Sequence, residues 1–441
     1  MAESPSCDLA IVGAGVSGCA LAAQLRRLGW GGSIQLLEIG RGPGGRCATR
    51  RSRHDFNLAI NHGAPLFNIS GDPPALLEPL ERGGWITPFA GAIQWLDDDG
   101  RCVDRGLVDG VIDDQGISDR GIDDHGLLQG ALWQGRGGMD QICRGLLELA
   151  EAAQDQANTT GPNRWAGPER PIHAGALIAR YGTLVRHLEP LASSGGPSEG
   201  WILRNADGRE LTRCRWLVLS GTLLAHPRCK SVFGWSEVPL QAAAATLADP
   251  QLDEASRQLA SLESLGSSNL LLTLPQAAAA AWLALPWRLL QATASAQQRW
   301  GLRRITIQPL ADGRCAVVAE SSPAFAAAHR HVYGSRSSAA QLLGAAPEAS
   351  AEQATLDALQ AALEAAVGCA IGSVGSDERQ LMRWGAAFPQ AEAVGLPPAL
   401  QLCTNSRIGF CGDVITAPPG LGRVEGALHS AERLAALLAN A

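Results

Sequence analysis

An α/β fold is predicted by three features of the 441-residue chain. Near the N-terminus a strand, a turn with three glycines, a helix and a second strand follow one another without a break. Just beyond them stands a glycine doublet followed by arginine. At the other end a strand closes in Gly-Asp before a final helix. Between the two ends, strand-like and helix-like segments alternate without a single period, which predicts an α+β part interleaved with the first.

Leu9-Ala10-Ile11-Val12 is a short apolar run that reads as a buried strand. Gly13-x-Gly15-x-x-Gly18 forms the turn after it, and Cys19 to Leu28, rich in Ala and Leu, reads as a helix closed by Gly29. The three glycines serve different ends, with a sharp turn at Gly13, close approach of backbone to a pyrophosphate at Gly15, and tight packing of helix on strand at Gly18. Val16 and Ser17 fall at the start of the helix, whose unpaired N–H groups favour phosphate. Ser33 to Leu37 reads as the second strand and ends at Glu38, twenty residues after Gly18, where a carboxylate suits a ribose 2′-hydroxyl. The parts in this order predict a Rossmann-like dinucleotide site.

Arg41-Gly42-Pro43-Gly44-Gly45-Arg46 comes next. Gly44 and Gly45 offer N–H donors without Cβ obstruction, and Arg46 offers a cationic fork for phosphate. With the four residues after it, this run resembles the second glycine motif of the two-dinucleotide-binding flavoprotein superfamily. Its wording is most similar to the renalase-type branch of the amine-oxidase flavoproteins. The resemblance implies FAD rather than NAD as the bound dinucleotide, with Gly13, Gly15, Val16, Ser17, Gly18, Glu38, Arg41, Gly44, Gly45 and Arg46 around it. Ile408 to Asp413, read as a strand ending in Gly412-Asp413, resembles the closing motif of the same superfamily. There the aspartate reaches the ribityl or pyrophosphate region, and the helix start, here Gly422 to Val424, faces the flavin pyrimidine. Helix N–H groups aimed there stabilise the negative charge of a reduced flavin. The surroundings of Cys411 do not match the cysteine motif of covalent amine oxidases, so the FAD is expected to be non-covalent.

The middle of the chain is read from pattern. Gly84 to Leu96 is strand-like and carries aromatics. Residues 106–130 break into five-residue units, from Gly-Leu-Val-Asp-Gly onward, and read as a low-complexity loop or hairpin insertion. Gly138-Met139-Asp140 opens an amphipathic helix to about Gln154, and 155–171 has the composition of a linker. Ala176–Leu191, Gly200–Arg204 and Glu210–Ser220 read as strands, with Asp207-Gly208 as a hairpin turn. The resemblance makes this β-meander part of the FAD-binding domain, of glutathione-reductase type, and places Val185 at an adenine-side backbone contact. A hairpin of Ile305–Ile307 and Cys315–Val318, joined at Asp312-Gly313, sits among Ala-rich helices. The expected organisation is a discontinuous FAD-binding domain of residues 1–75, 172–225 and 395–441, with a substrate domain of 76–154 and 226–394.

On the substrate side, Asn61-His62-Gly63-Ala64 is similar to the renalase-type segment after the arginine-rich loop, and His62 is a candidate hydrogen-bond donor near the ring. That branch more usually has a carboxylate at Asn61 and a Gln-aromatic pair at Pro65-Leu66. Arg383 to Pro389 resembles the aromatic approach to the flavin, which makes Trp384 and Phe388 candidates to line a substrate cavity, although aromatics at i and i+4 also serve packing.

Composition narrows the function. A net charge of −7 gives no electrostatic case for nucleic acid or an anionic membrane surface. Eleven cysteines, scattered without a C-x-x-C pair, argue against a disulfide framework or zinc site and for a reducing, cytoplasmic compartment. No basic leader precedes the first strand, and no window reaches the roughly 18 apolar residues of a membrane span. Gly-x-Ser-x-Gly, His-Glu-x-x-His and Walker motifs are missing, and no metal is expected. Polyamine and monoamine oxidases generally place a lysine beside flavin N5, but the only lysine here is Lys230, outside that pattern. The resemblance implies an oxidase that takes a hydride from an NAD(P)H-related dihydronicotinamide, or another C–H next to nitrogen, and passes electrons to O2 or another acceptor. An amine oxidase or carotenoid-desaturase-like enzyme is one alternative. A flavin-binding sensor or assembly protein without turnover is another.

Overall fold

A ten-residue strand, Glu210–Leu219, organises the first sheet, because it takes different partners along its length. One edge pairs in parallel with Ser6–Val12, which in turn pairs with Ile34–Leu37 and, beyond it, Leu177–Arg180. The other edge pairs antiparallel with Ser198–Arg204 at its start and parallel with Ile408–Phe410 at its end. The ends of Ser6–Val12, Glu210–Leu219 and Ile408–Phe410 are thereby brought side by side. The structure, a computed structural model, describes residues 6–103, 128–160, 175–192, 198–335, 349–371, 375, 378–390, 393–416, 418 and 420–441.

Both faces of this sheet are covered, which is why its parallel strands read as continuous apolar runs. On one face the helices Val16–Arg27, Gln141–Thr160 and Val424–Ala439 share a core with Leu9, Ile11, Leu21, Leu25, Leu146 and Leu434. On the other, Leu217, Leu219 and the meander residues Leu188 and Trp201 pack with the helices Pro239–Ala244 and Pro250–Ser261. The last helix is also tied to the N-terminal third. Its buried Glu425 accepts from Ser70 N, Ser70 Oγ and Gly71 N at 2.8–3.1 Å.

A second, seven-stranded sheet runs Arg379–Pro389, Ser264–Leu274, Cys315–Ser321, Leu302–Pro309, Leu289–Ala292, Ile93–Leu96, Cys102–Val103. Strand periodicity divides it into two faces. Leu270, Leu272, Ile305, Ile307, Val317 and Leu381 pack with the helices Gln276–Leu283, Ala294–Trp300 and Ala349–Val367. The alternate residues Leu271, Ala316 and Val318 face Ile60 and the first sheet's side of the molecule. Gln308 fastens this face to the segment before His62: Nε2 donates to Asn61 O at 2.9 Å, and Oε1 accepts from Asn61 N at 2.8 Å.

The mixed α/β class with a Rossmann-like sheet is the one the sequence predicts. Several boundaries differ. Gly84–Leu96 forms two short strands in different sheets, Ile86–Pro88 on Ala131–Gly135 and Ile93–Leu96 on Leu289–Ala292, separated at Phe89–Ala92 around Gly91. Ala176–Leu191 likewise splits into Leu177–Arg180 and His187–Ala192 around Gly182, whose φ of 63° turns the chain. The helix from Gln141 continues to Thr160, through the first six residues of the predicted linker, because the first breaker is Gly161-Pro162. Most of the 106–130 tract and the rest of the linker lie outside the described residues. Among those residues no helix is long and apolar enough to cross a membrane.

Candidate functional site

A cavity of about 1600 Å³ reaches from the clustered strand ends of the first sheet to the inner face of the second. Single drug-sized ligands occupy pockets of roughly 300–1000 Å³, so there is room for a dinucleotide and a second molecule.

The wall at the first sheet is made largely of backbone. Gly44 N donates to Ala14 O at 2.8 Å, so the two glycine turns are fastened together. Gly13 sits at φ 109°, and a Cβ there would meet Ser220 Oγ at 2.5 Å. Gly18 faces the strand rather than the cavity, where a Cβ would come 2.1 Å from Gly13 O. Gly15 is different. Its φ of −74° suits any residue, and the nearest atom to an added Cβ is Gly45 Cα at 4.0 Å. Neither backbone strain nor a protein neighbour requires glycine there, and the position lines the cavity beside a helix start that has no side-chain cap. Glu38 closes this wall: Oε2 accepts from Ala14 N at 2.7 Å and Oε1 from Gly40 N at 2.6 Å, which leaves each oxygen one acceptor site.

Arg46 and Asp413, predicted as separate contacts to a cofactor, meet each other at 2.5 Å. Arg46 also donates to Ala387 O at 3.5 Å, so it bridges the N-terminal loop, the C-terminal motif and the second sheet. The Asp413 carboxylate raises the Arg46 pKa above its ordinary value. Asp413 O accepts from Gly422 N at 2.9 Å, which fixes the approach to the last helix. Nearby, Arg228 lines the cavity with the Thr222 hydroxyl as its partner at 2.8 Å, and burial lowers its pKa to about 10, with Arg46 adding to the shift.

His62 joins the two walls. Its carbonyl accepts from Trp384 Nε1 at 3.0 Å and from Asn269 Nδ2 at 2.7 Å, and its ring stacks on Trp384 with centroids 5.4 Å apart. Nδ1 is buried with no hydrogen-bond partner, on a residue that lines the cavity. Burial, with Arg50 nearby, pushes the His62 pKa down to about 4, so the ring is neutral at pH 7. Phe388 lies under the Arg303 guanidinium, whose Cζ is 3.4 Å from the ring centroid. Trp384 and Phe388 belong to a strand, Arg379–Pro389, where residues at i and i+4 also tend to share a face. Asn61, where the resembled branch more usually has a carboxylate, is occupied structurally: Oδ1 accepts from Thr49 Oγ1 and Met139 N, each at 2.8 Å.

The cavity thus gathers Gly13, Gly15, Val16, Ser17, Glu38, Arg41, Gly44, Gly45, Arg46, His62, Trp384, Phe388, Gly412, Asp413, Gly422 and Val424. Gly18 and Val185 are not on its wall. Val185 is buried in the core between the meander and the first sheet, where its apolar side chain packs with Leu188 and Leu219. Sequence reasoning missed Arg228, Asn269, Arg304 and Glu320. The available signal was a polar residue inside an otherwise apolar strand, as with Asn269 before Leu270-Leu271-Leu272.

Comparison with known proteins agrees with this architecture. Residues 11–82 match the NAD(P)-binding Rossmann-like domain. Among curated protein sequences none matches the chain. Solved structures share the fold from end to end. One is a protein provisionally named protoporphyrinogen oxidase from Exiguobacterium sp. 255-15, with 14% identity, 99% of each chain covered and a TM-score of 0.57. A second is a triple mutant of putrescine oxidase redesigned in its cofactor binding, with 15% identity, 100% of both chains and a TM-score of 0.55. A third is an oxidoreductase from Methanosarcina mazei, with 12% identity, 97% of this chain, 99% of that one and a TM-score of 0.55. The chain therefore shares its fold with these structures, putrescine oxidase among them, with a Rossmann-like sheet at its centre.

Proposed function

We propose that the protein is an FAD-dependent oxidoreductase, an oxidase of the renalase type that acts on a dihydronicotinamide or a similar C–H next to nitrogen and hands electrons to O2. The observation that carries the reading is Gly15: a cradle for a diphosphate that a Cβ would fill and that no protein atom occupies. Glu38 fits a ribose, while Arg46 and the uncapped start of Val16–Arg27 fit the phosphates. The start of Val424–Ala439, also without a side-chain cap, fits the polar edge of a flavin. Cys411 is buried and lies off the cavity wall, which supports non-covalent binding.

FAD in this position supplies the hydride acceptor. The protein positions the reacting pair, with Trp384 and His62 stacked as one flank and the inner face of the second sheet as a wall. Neutral His62 keeps its ring from adding positive charge there. The fold neighbour putrescine oxidase suggests an amine donor instead, but the one lysine, Lys230, is off the cavity wall.

A visible spectrum of the purified protein, repeated during anaerobic titration with NADH and with its 2- and 6-dihydro isomers, tests the proposal. A flavin band bleached by an isomer, with peroxide formed when air returns, is the expected result. A flavin untouched by all three donors overturns the substrate, and no flavin overturns the whole reading.

A further inference from the structure

On the inner face of the second sheet, Met382, Asn269, Glu320 and Arg304 stand side by side across four strands, each in register with the next. All four line the cavity. The Asn269 amide is already engaged: Nδ2 holds the His62 carbonyl at 2.7 Å and Oδ1 accepts from Ser267 Oγ at 2.5 Å. Glu320 is shared, with Oε1 at 3.4 Å from Arg303 and Oε2 at 2.7 Å from Arg304. Arg304 spends one Nη2 donor on that bond. Its side chain is 11% exposed, and among the described residues its other donors meet no hydrogen-bond acceptor. A guanidinium has five donors in a fixed fork and keeps its charge at any working pH, so the spare edge is a constant feature of the wall. The wider lining has the same sign. Among the described residues, eleven arginines and four carboxylates line the cavity, in a chain whose net charge is −7.

We propose that the donor oxidised in this cavity carries an anionic group, phosphate or carboxylate, which binds the free edge of Arg304. The inference rests on the flavoenzyme reading for what happens at the site. Arg304 lies two strands from Asn269, roughly 10 Å at ordinary strand spacing. The anion is therefore remote from the part of the donor held near His62 and Trp384, as a nucleotide's phosphate is remote from its base. A polyamine would bring ammonium groups to a wall of arginines, with the Glu320 carboxylate already divided between two of them.

The test compares dihydronicotinamide mononucleotide with dihydronicotinamide riboside, which differ by the phosphate. Both are titrated calorimetrically into the protein as purified, under nitrogen, and the absorption spectrum is read on the same sample. The mononucleotide is expected to bind at least tenfold more tightly than the riboside. Arg304→Gln should bring that ratio below twofold, and Arg304→Lys, which keeps a cation for Glu320, should preserve part of it. Urea midpoints of the variants separate lost recognition from lost folding. Equal affinity in the wild type, or an unchanged ratio in a folded Arg304→Gln, overturns the proposal. Should neither donor bind, inorganic phosphate and acetate are titrated separately: the one that binds, and loses affinity in Arg304→Gln, names the anion, and binding of neither overturns the proposal too. A spectrum without flavin sinks the oxidoreductase reading, while the phosphate ratio still judges Arg304.

Discussion

The two walls of the cavity are built from different materials. The first is backbone, made of two glycine turns fastened to each other and an uncapped helix start, with Glu38 held by two amides. The second is side chain, with Asn269, Glu320, Arg304 and Trp384 each arriving on a different strand. A backbone wall recognises shape and is indifferent to pH, whereas a side-chain wall recognises charge and titrates. Substitutions on the two sides should therefore fail in different ways, and folding stability is the common scale.

The largest loss is expected at Glu320. Both arginines that share it are nearly buried, and removing one partner of a buried ion pair costs about 3–5 kcal/mol because the charges left behind remain desolvated. Glu320→Gln keeps the shape and removes only the charge. Urea unfolding should show a loss in that range, and a loss under about 1 kcal/mol would mean that the wall does not depend on its carboxylate.

His62 gives the second wall its pH dependence. Its ring ordinarily titrates near 6.5 but is pushed down to about 4 in the fold. Between these values the unfolded chain holds a proton that the folded chain does not. Stability contributed by His62 is thus complete above pH 6.5 and declines as pH falls toward 4, by about 3 kcal/mol in all. His62→Phe, which keeps an aromatic ring on Trp384, should flatten the difference between unfolding free energies at pH 4.5 and pH 7. If the variant and the wild type lose stability equally between those two pH values, the buried neutral imidazole is not the cause.

The same contrast decides what was legible in the sequence. Gly13 to Gly18, Glu38 and Gly44 to Arg46 are local, and their spacing alone states the geometry that Ala14 N, Gly40 N and Gly44 N complete. The row from Met382 to Arg304 depends on register between strands far apart in the chain, which no local pattern encodes. Val185 places its side chain in the core with Leu188 and Leu219, as its apolar character dictates, and leaves only its backbone for a ligand contact. Arg46 and Asp413 were found individually, but their pairing across most of the chain follows only from the parallel placement of Ile408–Phe410 beside Glu210–Leu219.

The smallest folding effects are expected within the glycine turn, where two neighbours separate structure from ligand. Gly18→Ala puts a Cβ 2.1 Å from the Gly13 carbonyl, so helix and strand must move apart, at about 1–3 kcal/mol. Gly15→Ala meets only Gly45 Cα at 4.0 Å, in a backbone conformation alanine adopts freely, so the loss should stay below about 1 kcal/mol, the usual range for an N-cap change. Cofactor affinity should order the two differently. An overpacked contact of about 1–3 kcal/mol at Gly15 corresponds to a roughly 5- to 150-fold weaker flavin, in a protein that unfolds almost as the wild type does. Flavin fluorescence quenching and urea midpoints, measured on both variants, make the comparison. If Gly15→Ala kept wild-type flavin affinity, the empty space beside Gly15 would not be the place where a diphosphate lies, and the backbone wall would lose its assignment even with the fold intact.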